Sequence, residues 1–176
     1  MRYRRAHTAG GTYFFSVNLA ERNSDILVRY IEDLRVVINA VKHAHPFAMV
    51  AMIVLPEHLH AIWRLPPGDA DYPLRWSLIK AGFSRRLAKG EYIHRSRLAK
   101  RERGIWQRRY WEHQISDEID LAQHVDYIHY NPVKHGWVHH PMDWPHSTLH
   151  GYIDRRMVTP DWSVSRDDEV NRYGER

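Results

Sequence analysis

The sequence predicts an α+β fold, a ferredoxin-like βαββαβ antiparallel sheet with an additional C-terminal helix. Three observations carry this. Stretches whose apolar residues recur every second position alternate with stretches that repeat every three or four. The two middle strands are separated only by Pro56 and Glu57, a connection suited to a hairpin. A last amphipathic helix follows the sixth element. Fold alone specifies no activity.

Residues 12–19 alternate, with Tyr13, Phe15, Val17 and Leu19 on one side and Thr12, Phe14, Ser16 and Asn18 on the other. Ser24 or Asp25 can cap one helix carrying Leu27, Tyr30, Ile31, Leu34, Val37, Ile38 and Val41, which ends before Pro46. Residues 47–55 are continuously apolar, as in a central strand buried on both faces. In the next strand Leu59, Ala61, Trp63 and Leu65 share one face, and His58, His60, Ile62 and Arg64 the other. A loop leads to a helix from about Pro73 to Leu87 with Leu74, Leu78, Ile79, Phe83 and Leu87 inward. Residues 91–104 form a charged excursion, and 105–115 a strand or extended segment. The final helix, from about Asp117 to Asn131, has Ile119, Leu121, Val125 and Ile128 on its apolar side, with Pro132 outside its interior.

The chain of 176 residues suits one domain over residues 1–150, followed by a tail over 151–176 without readable periodicity. The absence of cysteine excludes disulfides, zinc–thiolate sites and a cysteine nucleophile. No run approaches the roughly 18 apolar residues that would span a bilayer, and the N-terminal stretch has no apolar signal core. A cytoplasmic location without membrane contact is expected. The net charge of +5 is modest, but residues 85–109 hold ten Lys or Arg against Glu91 and Glu102. Such a block is either a solvated surface or a binding surface for phosphates. Trp106, Tyr110 and Trp111 at its end add the stackable rings that a single strand needs.

On a strand, positions i and i+2 project from one face, so His58 and His60 can offer two imidazoles to one ion. The alternative is a pair of half-exposed sheet histidines bonded to neighbours, in a chain with fourteen histidines. On the last helix Tyr127 and Asn131 are four apart and share a face. Asn131 brings an amide oxygen suited to a mixed N/O site for a divalent ion, with His124 and Gln123 as candidate neighbours. Tyr127 is the candidate nucleophile. A phenol of ordinary pKa near 10 needs help to attack at neutral pH, and a cation that neutralises charge at a phosphate supplies part of it. The alternative is a helix tyrosine packed on the sheet with its hydroxyl in solvent. Tyr130 competes, but four residues beyond it stands Lys134, which does not ligate metal.

In order along the chain, "GGTYFFSVNL", "LPEHLHAIW", "IWQRRYWEH", "HVDYIHYNPVKHGWV" and "DWPHST" resemble the REP-associated tyrosine transposases. That family is a branch of the single-tyrosine HUH endonucleases of insertion sequences, and the likeness spans about residues 3–150. The resemblance implies a metal-dependent endonuclease and strand transferase for single-stranded, hairpin-forming palindromic DNA. It implies that His58 and His60 bind Mg²⁺ or Mn²⁺ and that Tyr127 attacks the scissile phosphate, leaving a 5′-phosphotyrosine and a free 3′-hydroxyl. Asn131 falls where relatives place a polar third ligand, commonly glutamine in other branches. By position, Arg4, Arg5, Arg85, Arg86, Arg108 and Arg109 are assigned to DNA contact as a group. The excursion at 91–103 varies in length among relatives.

No Gly-rich phosphate loop points to a nucleotide cofactor, and either a monomer or a homodimer is compatible with the motifs. The contrasting reading is a catalytically inactive nucleic-acid-binding protein on the same fold, which would keep the basic block without depending on Tyr127. A histidine-site metallohydrolase of small substrates fits the basic block less well.

Overall fold

The computed structural model describes residues 8–90, 95–98 and 103–163. Strands β1 (Thr12–Asn18), β2 (Ala48–Val54), β3 (His58–Arg64) and β4 (Trp111–Gln114) form one antiparallel sheet in the order β2-β3-β1-β4. The helices are α1 (Ile26–Arg29), α2 (Ile31–Ala44), α3 (Tyr72–Arg86), α4 (Arg95–Leu98), α5 (Glu118–Lys134) and α6 (Leu149–Asp154). The expected ferredoxin-like sheet with an added helix is therefore present.

The alternation in β1 and β3 divides the core in two. Tyr13, Phe15, Val17, Leu59, Ala61 and Trp63 point to the face covered by α2 and α3. Trp63 stacks on Trp76 of α3 with centroids 4.2 Å apart and planes 16° from parallel, worth about 0.5–1.5 kcal/mol beyond the area buried. Phe14, Ala51, Ile53 and Ile62 point to the other face, where Tyr127 and Ile128 of α5 and Trp144 cover them. Arg75, buried at the start of α3, pairs with Asp69 at 2.6 Å and donates to the carbonyls of His45 and Pro46. It thereby ties α3 to the loop entering β2.

Four expectations fail, each for a local reason. The first helix is broken at Tyr30 (φ −113°, ψ 36°) into α1 and α2. The N–H of buried Leu27 reaches the carbonyl of Pro56, which docks α1 on the β2–β3 turn instead of in line with α2. Strand β2 lies at the sheet edge, not its centre. Its apolar run is nevertheless accounted for, because residues 146–148 cover the open edge: Val54 N–H donates to the His146 carbonyl and Thr148 N–H to the Met52 carbonyl.

On α3 only Leu74 departs, at 39% exposed; Ile79 and Phe83 are buried and Leu78 and Leu87 pack on the core as expected, and Tyr72, Arg75 and Trp76 complete the inner face. Asp71 caps that helix by accepting from the Leu74 N–H, which starts it at Tyr72, one residue before the expected Pro73. Helix α5 continues through Pro132 to Lys134. A proline there forfeits only one hydrogen bond near the helix end. The last turn is still closed by His135 N–H to the Asn131 carbonyl and Trp137 N–H to the Pro132 carbonyl. Gly136, at φ +72°, then turns the chain out of the helix.

Candidate active site

Antiparallel register sets Ile53, His60, Ser16 and Trp111 in one row across the four strands, all on the face beneath α5. The stripe that α5 lays on this face is His124, Tyr127, Ile128 and Asn131, spaced i, i+3, i+4, i+7, and all four residues are buried. Ile119, expected inward, is 72% exposed. Ile128 is buried and Leu121 and Val125 pack on the same core, as expected; three of the four residues in the stripe are polar, so residue chemistry marks the inner face along with apolar spacing.

His58 and His60 are buried, not half-exposed. Their rings stand 4.9 Å apart and nearly perpendicular, and the His60 ring meets the Tyr127 ring edge-on at 5.2 Å. Each imidazole is held through Nδ1. Glu57 Oε1 lies 2.9 Å from His58 Nδ1, and Ser16 Oγ lies 2.7 Å from His60 Nδ1. With the proton on Nδ1, each ring donates to its partner and carries its lone pair on Nε2, the other ring nitrogen. Burial raises the Glu57 carboxyl pKa, but the hydrogen bond and charge of His58 outweigh it and hold the group below its ordinary value. The carboxylate form that accepts from His58 is thus favoured.

The chemistry of the donor set fits a divalent cation. His58 Nε2 and both amide atoms of Asn131 are buried without a hydrogen-bond partner among the described residues. Each such orphan costs about 1–3 kcal/mol, which a ligated ion would offset at the imidazole nitrogen and amide oxygen. His135 closes over His58 with ring centroids 5.2 Å apart. Lys134 places its ammonium 4.9 Å from the centroid of the Tyr127 ring. Tyr127 itself is 0% exposed, so it is packed against the sheet, and its hydroxyl is not in bulk solvent.

A further group lies beside these residues. His113 of β4 with Asp120 and His124 of α5 offers three ligand atoms within 4.8 Å of one another, a set able to hold a metal ion. Asp120 contacts His113 Nε2 and His124 Nδ1, each at 2.9 Å, and accepts from the Ser116 N–H at 2.8 Å. Burial raises the Asp120 pKa, but the Ser116 amide and the two imidazoles reverse this and leave it low. Burial pushes the His124 pKa down despite Asp120.

The basic candidates divide. Arg4 and Arg5 lie outside the described residues, as do positions 91–94 and 99–102 of the charged excursion. Arg85 and Arg86 are exposed on the last turn of α3, on the sheet face opposite Tyr127, and Arg86 pairs with Asp33 of α2. Arg108 and Arg109 are exposed directly before β4. Chain direction brings all four to one end of the sheet, where β3 and β4 begin and α3 and α5 end, alongside His58 and Asn131.

Ser16, Glu57, Phe14 and His135 were not singled out by sequence reasoning. Ser16 and Phe14 already stand on the correct face by alternation. Only the register, set by pairing across more than forty residues of chain, brings Ser16 opposite His60.

No family model matches the chain. A REP-associated tyrosine transposase of Escherichia coli (strain K12) is 45% identical over 161 residues, covering 92% of this chain and 90% of that protein. A relative from Haemophilus influenzae, bearing the same family name, is 42% identical over 169 residues, 96% of each. Among solved structures, a REP-associated tyrosine transposase bound to a REP hairpin superposes with a TM-score of 0.82 at 43% identity, covering 96% of this chain and 94% of that one.

Proposed function

Since the chain belongs to the REP-associated tyrosine transposases, we propose that it cuts and rejoins single-stranded DNA beside a palindromic hairpin, by metal-dependent transesterification through a 5′-phosphotyrosine. The observation that carries this reading is the buried ring cluster of His58, His60 and Tyr127, with Asn131 buried four residues further along the same face of α5.

In this reading His58 and His60, through Nε2, and Asn131, through its amide oxygen, hold Mg²⁺ or Mn²⁺. The bound ion supplies charge neutralisation at the scissile phosphate. Glu57 keeps His58 in the ligating tautomer and orientation, and Ser16 orients the His60 ring. Tyr127 Oη loses its proton and attacks phosphorus. The bond from phosphorus to the 3′-oxygen breaks, the leaving 3′-oxygen gains a proton, and the 5′-phosphate stays on the tyrosine. The phosphodiester's energy is conserved in that link, so a second 3′-hydroxyl can reverse the attack and join strands.

Arg85, Arg86, Arg108 and Arg109, with Arg4 and Arg5 of the N-terminal arm, contact DNA phosphates. The domain responsible covers residues 1–150 and works in the cytoplasm. Among the described residues, no helix is long and apolar enough to cross a membrane.

The test is to incubate the protein with single-stranded hairpin oligonucleotides and Mg²⁺ or Mn²⁺, then look for a protein–DNA adduct that survives denaturation. Wild type should form it, and Tyr127→Phe should not. Equal adduct from both proteins would overturn the assignment of the nucleophile.

A further inference from the structure

We propose that Trp111 is the seat for one unpaired nucleobase of the DNA strand, next to the scissile phosphate; for its substrate this rests on the transposase reading above. Of the three rings that end the basic block, two are already used by the fold. Trp106 is buried, bridges to Leu19 and packs edge-on against Phe83. Tyr110 packs on the α2–α3 core, with Lys80 Nζ 5.2 Å from its centroid. Trp111 is 38% exposed.

Trp111 is also the outer rung of a ladder. Its ring lies 5.9 Å from that of His113 and 6° from parallel, and His113 lies 4.8 Å from the buried His124 at 16°. These are offset-stacked geometries. Asp120 braces both imidazoles, and Phe14 meets Trp111 from the side at 5.6 Å. The same His113, Asp120 and His124 atoms are close enough for an ion. Parallel rings, and a carboxylate already accepting from the Ser116 N–H, fit bracing of the ladder better than convergence on a cation. A ring held this way gives up little freedom when a flat partner stacks on it.

Position supplies the ligand. Trp111 stands in the same cross-strand row as His60, with Ser16 between them. Two strand spacings separate them, about 10 Å, roughly three stacked-base steps of about 3.4 Å. Strand β4 is the outer strand of the sheet on that side. Arg108 and Arg109, exposed immediately before it, bring positive charge for the adjoining phosphates. An exposed ring on a rigid stack, preceded in the chain by two exposed arginines and in the same row as His60, matches a nucleotide of the unpaired foot rather than the hairpin duplex.

The experiment measures binding in EDTA, so that no cleavage intervenes. It uses a hairpin without a foot, the same hairpin with a single-stranded foot, and footed hairpins carrying one abasic position at a time. Wild type should bind the footed hairpin more tightly and lose that gain at one abasic position. Trp111→Ala should weaken binding of the footed hairpin about five- to a hundredfold. It should leave the footless hairpin unchanged and erase sensitivity to the abasic position, while Trp111→Phe retains most of the affinity. Equal loss on both hairpins, or abasic sensitivity that persists in Trp111→Ala, would overturn the seat. Adduct formation by wild type in Mg²⁺ reports the transposase reading separately. Adduct without any Trp111 effect removes only the seat, and Trp111-dependent foot binding without adduct removes only the cleavage reading.

Discussion

Ser16 Oγ stands 2.7 Å from Nδ1 of His60, across the register that sets these two residues opposite one another on β1 and β3. The contact engages Nδ1 and so orients the imidazole. Removing it should loosen the ring without removing a ligand. Ser16→Ala is expected to weaken metal affinity or cleavage about 10- to 100-fold, and Ser16→Thr to keep most of it. Titration of cleavage against Mn²⁺ checks this: higher metal should restore the rate of Ser16→Ala. A variant as active as wild type at low metal would show that the contact serves packing alone.

His60→Ala should abolish adduct formation while leaving hairpin binding largely intact, because the arginines proposed to contact phosphates lie elsewhere. Asn131→Ala should reduce cleavage less than His60→Ala, since it removes one neutral oxygen and not an imidazole. Gel-shift and adduct assays run side by side separate the two effects. Persistent cleavage by His60→Ala would mean that the histidine pair is structural.

Lys134 holds its ammonium 4.9 Å from the Tyr127 ring centroid, placed to stabilise the negative charge that a nucleophilic Tyr127 must carry. A cation within about 4–6 Å of an oxyanion favours the charged form by about 1–3 pKa units. Lys134→Met should therefore slow cleavage by about 10- to 100-fold and move the pH–rate profile to more alkaline values. Lys134→Arg should retain both. A slower variant with an unshifted profile would assign Lys134 to packing instead.

The fold is legible in this sequence wherever burial follows hydrophobicity. Tyr13, Phe15, Leu59 and Trp63 alternate because one sheet face meets α2 and α3, and that pattern needs nothing from distant chain. Helix α5 departs from this rule because its inner face is the candidate site. Apolar spacing puts Ile119 inward, whereas the structure buries His124, Tyr127 and Asn131. The histidine pair and the tyrosine are readable by residue type and spacing. The groups that orient them are not, since Ser16 reaches His60 only through strand pairing. Edge position is equally hidden: β2 reads as central because Val54 and Met52 are capped by residues 146–148, nearly a hundred positions away.

Acid should destabilise the protein through His129, on the side of α5 away from Tyr127. Its ring packs on Tyr152 at 4.7 Å, and its Nε2 lies 3.0 Å from Thr148 Oγ1. Burial lowers its pKa from 6.5 to about 4. Above pH 6.5 the ring is neutral in both folded and unfolded chains, and its full contribution is present. Between 6.5 and 4 the unfolded chain binds a proton that the folded chain refuses, so stability falls as pH falls, by about 3 kcal/mol across the window. His124, whose pKa burial also lowers, acts in the same direction. Urea unfolding of wild type and His129→Gln at pH 7.5 and pH 4.5 isolates the contribution. The wild type should lose about 2.5 kcal/mol more than the variant between the two pH values, since pH 4.5 stops short of the folded pKa. Parallel losses would place the acid sensitivity elsewhere.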